Sequence, residues 1–174
     1  MLEYGARILL VEDNPDHAFV AITVLHQLLG SASEVLHAET ADEAINLIRD
    51  FTYLDRPDLI VVDLRLPKNG GFGVLSAVRA HAPSAQVPVF VVTSSVYDGD
   101  IALSYELGAS TVLCKPLSRA KLRENWSASA RWLHLDDRLP SVILSLASSN
   151  NSRGNSSLRA SLQGADVTTC YEPG

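Results

Sequence analysis

Six residues of this sequence stand directly after short apolar runs: Glu12 and Asp13 after ILLV, Asp63 after DLIVV, Thr93 and Ser94 after PVFVV, and Lys115 after TVLC. Their types together describe one chemistry. Three carboxylates brought close repel one another unless a cation compensates them, and oxygen-only donors with room for water suit Mg2+ better than Zn2+. A divalent cation flanked by a hydroxyl and an ammonium is what phosphoryl transfer requires, because the transferred group spreads its charge over three oxygens that need separate partners. The cation, Thr93 with a backbone N–H near Ser94, and Lys115 would supply the three. A carboxylate can also be the nucleophile and form an acyl phosphate, and Asp63, ending the central strand, is the best placed. Each residue alone has a plainer explanation. Glu12 and Asp13 suit the start of the following helix, Asp63 can cap its loop, Thr93 can bond neighbouring backbone, and Lys115 can be a solvated strand end. Only the phosphoryl-transfer reading accounts for all of them at once.

The elements that must position these residues alternate. Apolar runs at Ile8 to Val11, Glu34 to Ala38, Asp58 to Val62, Pro88 to Val92 and Thr111 to Cys114 read as short strands, most of them buried on both faces. Helical patterns follow each one. The first opens at Asn14-Pro15, an N-cap with proline at the first helical position, and closes at Gly30; the second opens with the capping box of Thr40 to Glu43. Further helices are expected over Phe72 to His81, Ile101 to Leu107 (closed by Gly108), and Ser118 to about His134. Five β-α units imply an α/β fold with a doubly wound, five-stranded parallel sheet and helices on both faces. Ligands of such sheets bind outside the carboxyl ends of the strands, where the six residues fall.

The chain has 174 residues, 47% hydrophobic and 20% charged, which allows one domain and a remainder. The domain is expected over residues 1–140. Residues 141–174 contain eight serines, three glycines and three asparagines, and read as a flexible tail too small and polar to be an output domain. A net charge of -6 without a run of Lys or Arg argues against direct nucleic-acid binding. No apolar stretch is long enough for a membrane span, and no signal peptide is evident. Cys114 and Cys170 show neither CxxC nor Cys/His spacing, so no disulfide framework or zinc site is indicated, a reducing cytoplasm is expected, and Cys114 reads as an inert buried thiol. The histidines, His17 among them, are scattered and read as surface or helix-end residues.

The stretches ILLVEDNP, DLIVVDLRLPKNGG, VFVVTSS and GASTVLCKP resemble, in order and spacing, the motifs of the receiver domains of two-component response regulators. The resemblance covers about residues 6 to 135. It implies the CheY-like (flavodoxin-like) fold and a phosphoryl group accepted on Asp63 from a sensor histidine kinase. It further implies Mg2+ held by Asp13, Asp63 and the main-chain carbonyl of Arg65, with Glu12 acting through water. Thr93 and Ser94 would bind the phosphoryl group and Lys115 pair with it, with a cis peptide before Pro116. YLDRPDLI, TSSVYDGDIALSYELGAS and the tryptophan-bearing last helix are similar to single-domain regulators partnered with bacterial and cyanobacterial phytochromes.

Two departures stand out. Gly70 occupies a position where the family often has Asp or Asn, which suggests a less constrained loop. Val112 replaces an aromatic that commonly turns inward on activation, so any switch must involve the Thr93 loop and the fourth helix. Arg65 and Ser95 flank the phosphoryl position and are expected to tune its lifetime. Leu103 and Tyr105 on the fourth helix, with Trp132 on the fifth, form a candidate homodimer face with the fifth strand; Trp132 has the alternative of folding under residues 135–146. Two rival functions remain: a pseudo-receiver binding module that acts without phosphorylation, and a metal-dependent phosphohydrolase, for which Arg65 stands where a second acid is expected.

Overall fold

The computed structural model describes residues 5–95 and 97–130. Trp132, Cys170 and the expected tail at 141–174 lie outside the described residues. Strands β1 (Arg7–Val11), β2 (Glu34–Ala38), β3 (Leu59–Asp63), β4 (Val89–Thr93) and β5 (Thr111–Cys114) alternate with helices α1 (Pro15–Leu29), α2 (Ala41–Asp50), α3 (Gly70–Ala80), α4 (Asp98–Glu106) and α5 (Arg119–Ala130). The sheet order is β2-β1-β3-β4-β5 and every neighbouring pair is parallel, so β3 is central and β1 and β4 flank it.

Alternate side chains of each strand enter two separate cores. Leu9, Val11, Ile60, Val62, Val89, Val91 and Val112 pack with Ala44, Ile48, Val74, Val78 and Ile101 of α2, α3 and α4. Ile8, Leu10, Leu59, Val61, Phe90, Val92 and Leu113 pack with Ala18, Leu25 and Leu122 of α1 and α5. This is why the strands read as unbroken apolar runs: with both faces covered, neither parity can be polar.

The local signals act as expected. Asn14 caps α1 by accepting from the N–H groups of Asp16 and His17. At α2, Thr40 Oγ1 accepts from Glu43 N, and the Glu43 carboxylate accepts from Glu39 N. Two elements start earlier than their apolar periodicity: α4 begins at Asp98 and α3 at Gly70, because the polar or glycine-rich first turn of each carries no core residue to mark it.

Two readings are corrected. The loop after Asp63 is not loosened by Gly70, which is helical at φ -61, while the left-handed residue of the turn is Lys68 at φ 59. A Cβ on Gly70 would lie 2.6 Å from Cβ of Ala41, so glycine permits the close approach of α2 and α3 there. Cys114, read as a buried thiol, is only part-buried at the end of β5.

The far end of the sheet is tied by Arg79 at the close of α3. Its guanidinium donates to the carbonyls of Val87 at 2.8 Å, Ala85 at 3.0 Å and Gly108 at 3.0 Å. Burial lowers its pKa from the ordinary value, yet the group stays charged. Replacing it strands three part-buried carbonyls. Arg79→Met is expected to lower unfolding stability by about 2–4 kcal/mol. Urea denaturation followed by circular dichroism checks this, and an unchanged midpoint contradicts it.

Candidate functional site

The C-terminal ends of β1, β3, β4 and β5 lie side by side, which brings together side chains 52 and 103 residues apart in sequence. Glu12 and Asp63 are 4% and 5% exposed, whereas Asp13 is exposed. One ligand oxygen from each of the three lies within 4.8 Å of the others. Lys115 spans the group: its Nζ donates to Glu12 Oε2 at 2.7 Å and to Asp63 Oδ2 at 2.8 Å. Burial alone would lower the pKa of this ammonium. The hydrogen bonds and charges of Asp63 and Glu12 outweigh that effect and raise it.

His17, read from sequence as a surface residue, is exposed on the first turn of α1, but its ring reaches the site. Nδ1 stands 3.1 Å from Lys115 Nζ and 3.4 Å from Glu12 Oε1. An ammonium can only donate, so the ring accepts from it at Nδ1 when neutral. The three protons of Lys115 thus find three acceptors. His37 of β2 bonds the main-chain oxygen of Glu12 at 2.9 Å and holds the acidic pair from behind.

The plainer roles considered for these residues are also present, and coexist with the cluster. Asp63 Oδ1 accepts from Arg65 N at 2.8 Å, Glu12 Oε1 accepts from Asn14 N at 3.2 Å, and Thr93 Oγ1 accepts from Ser95 N at 3.0 Å. Thr93 is fully buried beside Asp63, and Ser94 is exposed at the rim. A hydroxyl that accepts one hydrogen bond can still donate its own proton to a further acceptor. Gly71 lies under the loop, where a Cβ would be 2.7 Å from the main-chain oxygen of Asp63. The peptide between Lys115 and Pro116 is cis. A cleft of about 330 Å3 opens beside the site, lined by Leu10, Val20, Val61, Val92 and Leu117 with Glu12, Asp63 and Lys115 along one side.

Comparison with known proteins agrees with this geometry. The response regulator receiver domain model matches residues 8–127. The chain belongs to that family. Response regulator Rcp1 of Synechocystis is 31% identical over 117 residues, covering 60% of this chain and 80% of its own. The crystal structure of the phosphorylated cyanobacterial phytochrome response regulator RcpA is 30% identical, with a TM-score of 0.59, covering 74% of this chain and 94% of its own. The receiver domain of sensor histidine kinase PA1611 from Pseudomonas aeruginosa, solved with a magnesium ion coordinated in its active site cleft, is 29% identical with a TM-score of 0.61, covering 75% and 98%. The curated relatives differ in length: the receiver spans 57% of one DNA-binding regulator and 96% of a shorter protein.

Within this receiver, sequence reasoning missed Asp100 as well as His17. Asp100 Oδ2 accepts from Ser95 Oγ at 2.9 Å and lies 3.4 Å from Arg65 Nη2, which itself donates to Ser95 Oγ at 2.8 Å. The candidate interface residues Leu103 and Tyr105 are each 39% exposed, and Tyr105 Oη accepts from Val112 N at 3.3 Å. Val112 itself is buried. Among the described residues, no helix is long and apolar enough to cross a membrane.

Lys115→Met leaves Glu12 and Asp63 buried without their cation. The expected cost is about 2 kcal/mol, below the usual 3–5 for breaking a buried pair because the cleft admits solvent. An ammonium with a raised pKa contributes fully below its unfolded value of about 10.5, and its contribution fades as pH climbs through the folded value. The stability gap between wild type and variant is therefore expected to narrow above about pH 10.5. Chemical denaturation at stepped pH measures it; a gap that widens there rejects the assignment.

Proposed function

We propose that this receiver is a phosphoacceptor switch in which Asp63 takes a phosphoryl group from a sensor histidine kinase in a Mg2+-dependent reaction. The observation that carries this reading is the single ammonium of Lys115 shared between buried Glu12 and Asp63, with Asp13 beside them. Three carboxylates against one ammonium leave two negative charges in the cleft, a balance that suits a hard divalent cation. Asp13, Asp63 and the main-chain carbonyl of Arg65 would hold Mg2+ directly, and Glu12 through water. When bound, the ion neutralises the carboxylates and the incoming phosphoryl oxygens.

In the transfer, a carboxylate oxygen of Asp63 forms the P–O bond as the P–N bond of the kinase phosphohistidine breaks, its electron pair remaining on the imidazole. Lys115 turns from Glu12 towards one phosphoryl oxygen, and the Thr93 hydroxyl donates its proton to another, with a backbone N–H at Ser94 close by. The likeness to the cyanobacterial phytochrome response regulator RcpA supports a kinase of the phytochrome type. Gly70 gives no support to the pseudo-receiver alternative, since the approach of Ala41 accounts for it.

Incubation with a small acyl phosphate and Mg2+ is expected to label the wild type once, as read by intact mass. Asp63→Asn or chelation of the metal is expected to abolish the label, and Thr93→Ala to slow it at least about tenfold. Equal labelling of wild type and Asp63→Asn overturns the proposal.

We further propose that the signal leaves through the receiver's own surface, by a homodimer on the α4, β5 and α5 face. The exposed side chains of Leu103, Tyr105 and Tyr97 support this. Leu103→Lys is expected to weaken self-association about tenfold in sedimentation equilibrium. An unchanged dimer, or a wild type that stays monomeric with and without phosphate, excludes this face.

A further inference from the structure

The β3–α3 and β4–α4 loops, which follow Asp63 and Thr93, are joined by side chains. Arg65 donates to Ser95, Ser95 donates to Asp100, and the Arg65 guanidinium lies 3.4 Å from the same Asp100 oxygen. Ser95 is buried, and its hydroxyl also accepts from Tyr97 N at 3.3 Å. Its own N–H is on Thr93. Asp100 lies in the first turn of α4, so the chain of contacts runs from the phosphoacceptor loop to a helix end.

We propose that Asp100 is a positioning residue for the phosphoryl site: it holds Arg65 and Ser95 in a resting latch that a phosphoryl group on Asp63 competes open. This rests on the phosphoacceptor reading of Asp63. Arg65 follows Asp63 by two residues, and its N–H already binds the Asp63 carboxylate. A phosphoryl group there carries close to two negative charges and presents several oxygens to a guanidinium, against the single charge of Asp100. Once Arg65 turns to it, Ser95 and the first turn of α4 lose their tie to the β3–α3 loop. The favourable effect of acids at a helix N-terminus explains why an acid stands in this turn, and Asp98 meets the same need. It does not explain the bonds to Ser95 and Arg65.

The magnitude suits a latch. Arg65 and Asp100 side chains are 58% and 26% exposed, and a pair this open shifts an equilibrium by at most about fivefold. It can hold a resting state and still yield to a dianion.

The test uses the full chain with Mg2+ and beryllium fluoride as the phosphoryl mimic. Asp100→Asn is expected to bind the mimic about three- to fivefold more tightly than wild type, whereas Asp98→Asn, which removes the same charge from the same turn, leaves the affinity unchanged. Without any mimic, amide exchange over residues 98–101 is expected to be faster in Asp100→Asn than in Asp98→Asn. In an Arg65→Gln background, the gain from Asp100→Asn is expected to vanish. Wild-type affinity and wild-type exchange in Asp100→Asn, or an equal gain without Arg65, overturns the latch. If no protein binds the mimic, the phosphoacceptor reading fails, and the exchange comparison alone decides the resting latch.

Discussion

Two carboxylates more than nine-tenths buried share one ammonium, and the rest of the molecule is organised around making that arrangement tolerable. A buried carboxylate without a partner is costly; Lys115 gives both of them a cationic partner within hydrogen-bond distance, and a third acid, Asp13, stands beside them at the solvent edge. The parallel sheet makes this possible. Because β1, β3 and β5 run the same way, their C-terminal ends open on one edge, and residues distant in sequence meet there without any loop having to reach far. The two apolar cores hold the strands from both faces, so the separations between the charged groups are set by strand register.

The same constraint explains which features could be read from the sequence. Burial on both faces forces unbroken apolar runs, and those runs stop where charge begins, so Glu12, Asp13, Asp63, Thr93 and Lys115 were legible as one set at the strand ends. The caps at Asn14 and Thr40 were legible because they are local chemistry. What escaped was tertiary. Gly70 reads as a loosening until Ala41 is seen approaching it from another helix. His17 carries no ligand spacing, and its place beside Lys115 depends on how α1 packs over the strand ends. The start of α4 was read late because Asp98 to Asp100 contribute no apolar residue to the helical stripe, which also hid Asp100 as a partner for Arg65.

Helix α4 has a particular standing in this frame. It buries only Ile101 and Ser104, and its N-terminal residue Tyr97 makes no side-chain cap. Its attachment is polar at both ends: Asp100 faces Ser95 and Arg65, while Tyr105 takes the N–H of Val112 on the edge strand β5. A helix held by a few hydrogen bonds and little apolar area can move at small cost, whereas α1, with four buried residues on one core, cannot.

This bears on how a receiver without an aromatic at position 112 reports the state of its site. A buried valine has one dominant rotamer and little surface to relocate, so the strand itself carries no side-chain signal. The aromatic group is instead supplied by α4, where Tyr105 is part-exposed and bonded to the backbone of the very residue that lacks it. Movement of α4 therefore changes two things together: the polar contacts that join the loops after Asp63 and Thr93, and the position of Tyr105 on the face that Leu103 shares. Coupling between the site and this surface needs no rearrangement of either core, because the element that links them buries only Ile101 and Ser104.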